Sequence, residues 1–376
     1  MQKIILSILM GATLLFSFSA CETPDNNPCA TEFDQLSLLS NIGNNIILPS
    51  YQSLAHEADS LNTAAISFAN TPTAITLENL RNKFQTAWTT WQTAAIFEFG
   101  PAATENLRSS MNNFPVFVTR LNDAIASGSY DLTSETYSYT RGFPALDYLL
   151  YGTGATNADI LNAYSTAVNA SNRKQFLKDV TALILQKANA VYDAWKPTGA
   201  NYLNTFTSTE GVANGKPLSD LVNQLNQSYE LIKNEKLGIP ISAKTGYVPL
   251  LPENVEAYYS GQSIPLAITA IQAAKHVFLG MTNGNNGVGL DDYLLAANAK
   301  KGSEDLHTVI QTQYDLAISA LTDLQPSTLH DAINNNIEGV KAAYAAAQNQ
   351  MVNTKTSMPA VLCISITYID QVDDGD

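Results

Sequence analysis

Leu54-Ala55-His56-Glu57-Ala58-Asp59-Ser60-Leu61-Asn62-Thr63-Ala64-Ala65-Ile66-Ser67-Phe68 places apolar residues at 54, 58, 61, 65 and 68. Steps of four, three, four and three follow the 3.6-residue repeat of an α-helix, so one face of this segment must be buried. The pattern recurs along the chain. Thr71-Pro72-Thr73 interrupts it, and a second helix is predicted from about Thr76, with Leu80, Phe84, Trp88, Trp91 and Ala95 on its inner face, until Gly100-Pro101 stops it. A third helix to about Arg108 and a fourth over residues 116–126 are divided by Asn112-Asn113-Phe114-Pro115. Longer helices are predicted over 174–195, ending before Pro197, and over 218–236. Between them, the glycine-bearing stretch 196–218 reads as a linking or active-site loop. Past 238–252, which holds three prolines and two glycines, helical patterns resume near 265–279, 302–324 and 327–355. A β-branched run at 361–369 cannot pair its own backbone and is expected as an irregular tail against the helices. The predicted class is all-α, with two bundles over 33–237 and 238–376.

The ends carry address rather than fold. Lys3, an apolar run from Ile4 to Phe18, and Ser19-Ala20 have the parts of a secretory signal over residues 1–20. Cys21 resembles the lipidated cysteine of a bacterial lipoprotein, with Phe18 where leucine is commoner; simple cleavage to a secreted protein is the alternative. Residues 21–32 read as a polar tether. Lipidation would leave Cys29 and Cys363, which either pair in an oxidising compartment or stand as unrelated thiols. Loss of residues 1–20 removes Lys3 alone and moves the formal charge from −14 to −15. That balance argues against nucleic acid or an anionic membrane surface as electrostatic partners.

One segment carries a further signal: Arg141-Gly142-Phe143-Pro144-Ala145-Leu146-Asp147-Tyr148-Leu149-Leu150-Tyr151-Gly152. It resembles the Gly-x-His-x-x-Glu signature of imelysin-like proteins, with Pro144 at the histidine position and Asp147 at the glutamate position. Ile47-Leu48-Pro49-Ser50-Tyr51, the run from Trp88 to Pro101, Asn113-Phe114-Pro115, Gly261-Gln262-Ser263, Phe278-Leu279-Gly280-Met281-Thr282 and the acidic end Asp373-Asp374-Gly375-Asp376 are similar to that family in family order. The resemblance implies two related four-helix bundles packed side by side, with a functional site where they meet. It also implies an outer-envelope protein, often a lipoprotein of the outer membrane, associated with iron uptake or once classed as a peptidase. Iron or an iron chelate would be its ligand, with envelope uptake proteins as partners.

Candidate site residues follow from position and type. Pro144 suits the first turn of a helix, and Asp147 is expected in that turn, either favoured by the helix dipole or turned into the cleft toward a cation, a ligand or Arg141. A proline cannot ligate, so the His-x-x-Glu metal pair is lost and tight zinc or iron binding is not expected. Glu98 continues the row Phe84, Trp88, Trp91, Ala95 and needs a partner if buried; Arg108 or Arg141 would pair with it bidentately. Gly142 belongs to the signature, and His276 faces the interface if its helix lines it. His56, His307 and His330 read as surface residues. The expected ligand-binding set is therefore Asp147, Glu98, Arg141, Gly142, Pro144, Arg108 and His276. The preferred reading is a non-enzymatic, lipid-anchored binding protein; a metallopeptidase and a protein-recognition scaffold are the rivals.

Overall fold

The computed structural model describes residues 32–368 apart from Asn283. The expected signal over residues 1–20, Cys21, Cys29 and the acidic terminus lie outside the described residues. Eight helices organise the fold: α1 (Leu48–Asn70), α2 (Ala74–Ala94), α3 (Gly142–Asp147), α4 (Ala170–Trp195), α5 (Pro217–Leu231), α6 (Ser263–Phe278), α7 (Leu306–Thr322) and α8 (Ile337–Met351). The stripe at Leu54, Ala58, Leu61, Ala65 and Phe68 is fully buried, because α1 lies between α2 and α4 and presents that face to both. Thr73 starts α2 with a reciprocal cap shared with Thr76, as the Thr-Pro-Thr break implies.

A second group packs α7 between α6 and α8. Two contacts join the groups: α2 lies against α6, and α5 spans from the short turn Ala95–Phe97 to α6 and α8. Apolar side chains from both groups form one continuous core. Trp88 and Trp91 are each 1 % exposed, so they serve the core as their register with Phe84 predicts.

The fold is all-α, with local departures from expectation. Asn106 adopts a left-handed conformation and splits the third predicted helix into Pro101–Thr104 and Leu107–Met111. Two-residue ladders pair Met281–Thr282 with Asn285–Asn286, and Lys300–Lys301 with Glu304–Asp305, the latter where helix is expected from residue 302. The tail forms a short helix, Met358–Leu362, and then runs irregularly. Asn223 of α5 pins it, accepting the Thr367 N–H at 2.7 Å and donating to the Ser365 carbonyl at 3.1 Å. Cys363 is disulfide-bonded. Among the described residues no helix is long and apolar enough to cross a membrane.

Candidate functional site

The signature segment enters its helix under a steric constraint. Gly142 has φ of +75°, and a Cβ there would stand 2.2 Å from the Met111 carbonyl oxygen. The start of α3 is thereby pressed onto the end of the helix Leu107–Met111, a packing that only glycine permits. Pro144 is the third residue of α3, where a missing N–H leaves no bond unmade. After Asp147 the winding widens to i→i+5 bonding over Tyr148–Gly152.

Asp147 is therefore not in the first turn, and the helix dipole does not hold it. Its partners come from the segment before α6: the Tyr259 N–H donates to Oδ2 at 2.8 Å and the Ser260 N–H to Oδ1 at 3.0 Å. The side chain joins the two halves of the chain and is 1 % exposed. Burial pushes its carboxyl up to about 7, against the pull of the Ser260 and Tyr259 hydrogen bonds, and the nearby Glu256 charge adds to the rise.

Asp147 and Pro144 form one wall of a cavity of about 300 Å³; Pro115 and Val116 continue that wall, and Glu253, Glu256, Tyr258 and Tyr259 form the other. Glu256 is 2 % exposed and ion-paired with Lys236. It also accepts from Asn112 Nδ2 at 2.7 Å and Gln92 Nε2 at 3.2 Å, while Lys236 donates to Gln92 Oε1 at 2.9 Å. Asn112 in turn accepts from the Trp88 indole N–H at 3.0 Å. The inner face of α2 thus ends in a polar seam rather than in more core. Glu253 is exposed, and the Tyr259 ring meets Tyr148 edge-on at 5.2 Å.

The other expected site residues are dispersed. Glu98 takes no guanidinium. Its two oxygens accept the Arg108 backbone N–H at 3.0 and 3.1 Å, capping the helix Leu107–Met111, and burial raises its pKa. The Arg108 side chain instead donates to the Ala95 carbonyl at 2.8 Å and to Ser228 Oγ at 3.0 Å. Arg141 pairs with neither Asp147 nor Glu98. It is 3 % exposed and bonds the carbonyls of Ser109, Leu132 and Ser134 together with Glu135, so its role is to fasten loops. His276 opens onto a separate cavity of about 350 Å³ beside Ser50, Ser53 and Thr93, and burial lowers its pKa. Among the described residues no group of three or more His, Cys, Asp or Glu side chains is placed to hold a metal ion.

The sequence profile of the Imelysin family matches residues 47–358. The chain belongs to this family. Iron-regulated protein A of Synechococcus elongatus is 23 % identical over 334 residues, 87 % of this chain and 83 % of its own. Among solved structures, a protein assigned as an iron-regulated protein A precursor from Parabacteroides distasonis superposes with a TM-score of 0.72 at 16 % identity, covering 88 % of this chain and 96 % of its own. An imelysin-like protein from Psychrobacter arcticum gives 0.61 at 17 % identity, covering 90 % and 99 %. These superpositions establish the shared fold.

Within this imelysin chain the second half of the seam escapes sequence reasoning. Lys236, Glu253 and Glu256 belong to no motif. One signal was present: Asn223, Asn226, Ser228, Glu230, Lys233, Asn234 and Lys236 put polar residues around a helix whose apolar positions are also fully used. All seven are buried. A helix that is polar on several faces yet long and uninterrupted has to sit inside a polar interface.

Proposed function

We propose that this imelysin-family chain is a binding protein of the bacterial cell envelope, anchored through Cys21, whose seam cavity takes a small positively charged ligand such as a cationic iron complex. The observation that carries the reading is Asp147. It is a carboxylate with 1 % exposure, fixed by two backbone N–H groups of the opposite half, on the wall of a cavity about 300 Å³ in volume. Glu253 and Glu256 share that cavity, no Lys, Arg or His is among the residues lining it, and Lys236 is already paired to Glu256. A positive ligand would relieve the buried negative charge, whereas an anionic chelate would add to it. The leader sequence and Cys21 support an envelope location, and a relative bearing the name iron-regulated protein A supports an iron-related role. A peptidase mechanism needs a metal held by side-chain donors, and Pro144 supplies none.

Isothermal titration of the mature protein near neutral pH tests this, with ferrous and ferric salts and spermidine as cationic probes and ferric citrate as the anionic one. Saturable uptake of a cationic probe, lost in Asp147→Asn, supports the reading. No heat with any cation, or preference for ferric citrate, would sink it.

A further inference from the structure

A second cavity lies across the wall formed by Asn112 and Glu256, and its chemistry differs. It has a volume of about 50 Å³, room for a group of three or four heavy atoms. Trp91, Ile96, Phe114 and Leu231 make it largely apolar; of its polar lining, Gln92, Asn112 and Lys236 are engaged with Glu256 and Ser228 with Arg108, which leaves Arg108 and Glu235 with bonding capacity to spare. Arg108 Nη2 is held by the Ala95 carbonyl and Ser228 Oγ, which fixes the plane of the guanidinium. Its Nε and Nη1 have no acceptor among the described residues. Glu235 rides on the wide turn Ile232–Gly238 that continues α5, and its carboxylate accepts no hydrogen bond from any described residue. Burial raises the pKa of Glu235 against the pull of the Arg108 and Lys236 charges, and Glu235 forms an ion pair with neither.

We infer that this cavity binds a small neutral molecule presenting a carbonyl oxygen and an adjacent N–H on one edge, a carboxamide or hydroxamic acid. The carbonyl would accept from Arg108, the N–H would donate to Glu235, and the attached apolar group would lie against Trp91 and Phe114. A carboxylate satisfies Arg108 but meets Glu235 as a like charge with no proton to share. An ammonium satisfies Glu235 and meets Arg108. Only a group with both a donor and an acceptor answers the two side chains together.

Ligand-observed NMR and calorimetry at about pH 8 with acetamide, formohydroxamic acid and acetate, each small enough for the cavity, decide the matter on the mature protein. The wild type is expected to take the amide and the hydroxamic acid and to reject acetate. Glu235→Gln, whose amide offers a donor to an anion, should raise acetate affinity about tenfold and erase the preference. Acetate bound as well as acetamide by the wild type, or no probe bound up to about 50 mM, overturns the inference whether or not the variant folds. Neutral probes report on this cavity and cationic probes on that of Asp147, so either reading can fail alone.

Discussion

Replacing Asp147 by asparagine should change the sign of its effect on stability with pH. The carboxyl rises from an ordinary 3.8 to about 7 on folding. The folded state therefore holds the proton more tightly than the unfolded chain. The associated stability is fully present below about pH 3.8 and is lost as pH rises through about 7. Over that window the loss amounts to about 4 kcal/mol, at about 1.4 kcal/mol for each pH interval of one. Asparagine carries no charge and escapes the loss. It has its own cost, because its single oxygen can accept only one of the N–H groups of Tyr259 and Ser260. The other faces an NH2 group and is left without an acceptor, for about 1–3 kcal/mol.

The balance follows directly. Near pH 4 the variant should be less stable than wild type by about 1–3 kcal/mol, and near pH 8 more stable by about the same amount, with the crossing between about pH 4.5 and 6. Urea denaturation of both proteins from pH 4 to 8 measures the difference, and carboxylates common to both cancel. A difference independent of pH would refute the reasoning, since it would mean that Asp147 titrates alike in folded and unfolded chains.

Gly142→Ala should destabilise by at least about 3 kcal/mol in the same assay, because a Cβ would stand 2.2 Å from the Met111 carbonyl and φ is +75°; a cost below about 1 kcal/mol would show that the contact yields. Glu256→Gln leaves the Lys236 ammonium buried without its counter-charge and should cost about 3–5 kcal/mol, while the double change Lys236→Met with Glu256→Gln recovers much of it, as a double-mutant cycle would reveal. Arg141→Lys should cost about 2 kcal/mol without altering ligand uptake, because one ammonium cannot reach the carbonyls of Ser109, Leu132 and Ser134 together; weakened uptake with stability intact would reverse the assignment.

The fold was legible where one face of a helix repeats. Leu54 to Phe68 and Phe84 to Trp91 show an apolar period that burial follows residue by residue, since packing rewards the same geometry that sets the period. Asp147 could be singled out because a carboxylate among Leu146, Tyr148 and Leu150 has no wet face to occupy. Its partners could not. The Tyr259 and Ser260 N–H groups belong to the backbone, which every residue but proline offers alike, and the chain brings them there from more than a hundred positions away. Glu98 shows the converse. The helix ends at Ala94, so Glu98 does not continue its buried row but stands half-buried after the turn Ala95–Phe97; a carboxylate next to a Gly-Pro break can satisfy a helix end as well as an arginine, and the left-handed turn at Asn106 presented a helix end.

The two cavities share one wall and draw opposite demands from it. Glu256 faces Asp147 on one side, while through Lys236 and Asn112 it is bonded into the layer that lines the Arg108 cavity on the other. Its carboxylate, carried by the second half of the chain, accepts from three side chains of the first, so rotation of one half against the other would break all three at once. A charge so held cannot follow a ligand by moving. Discrimination at either cavity must then come from groups with spare hydrogen-bonding capacity, Asp147 and Glu253 on one face and Arg108 and Glu235 on the other. That division explains why a helix as polar as α5 with its continuation to Gly238 is buried: its Lys236 gives Glu256 a counter-charge and its Ser228 helps to hold the Arg108 guanidinium, so an apolar helix there would loosen both walls of the seam.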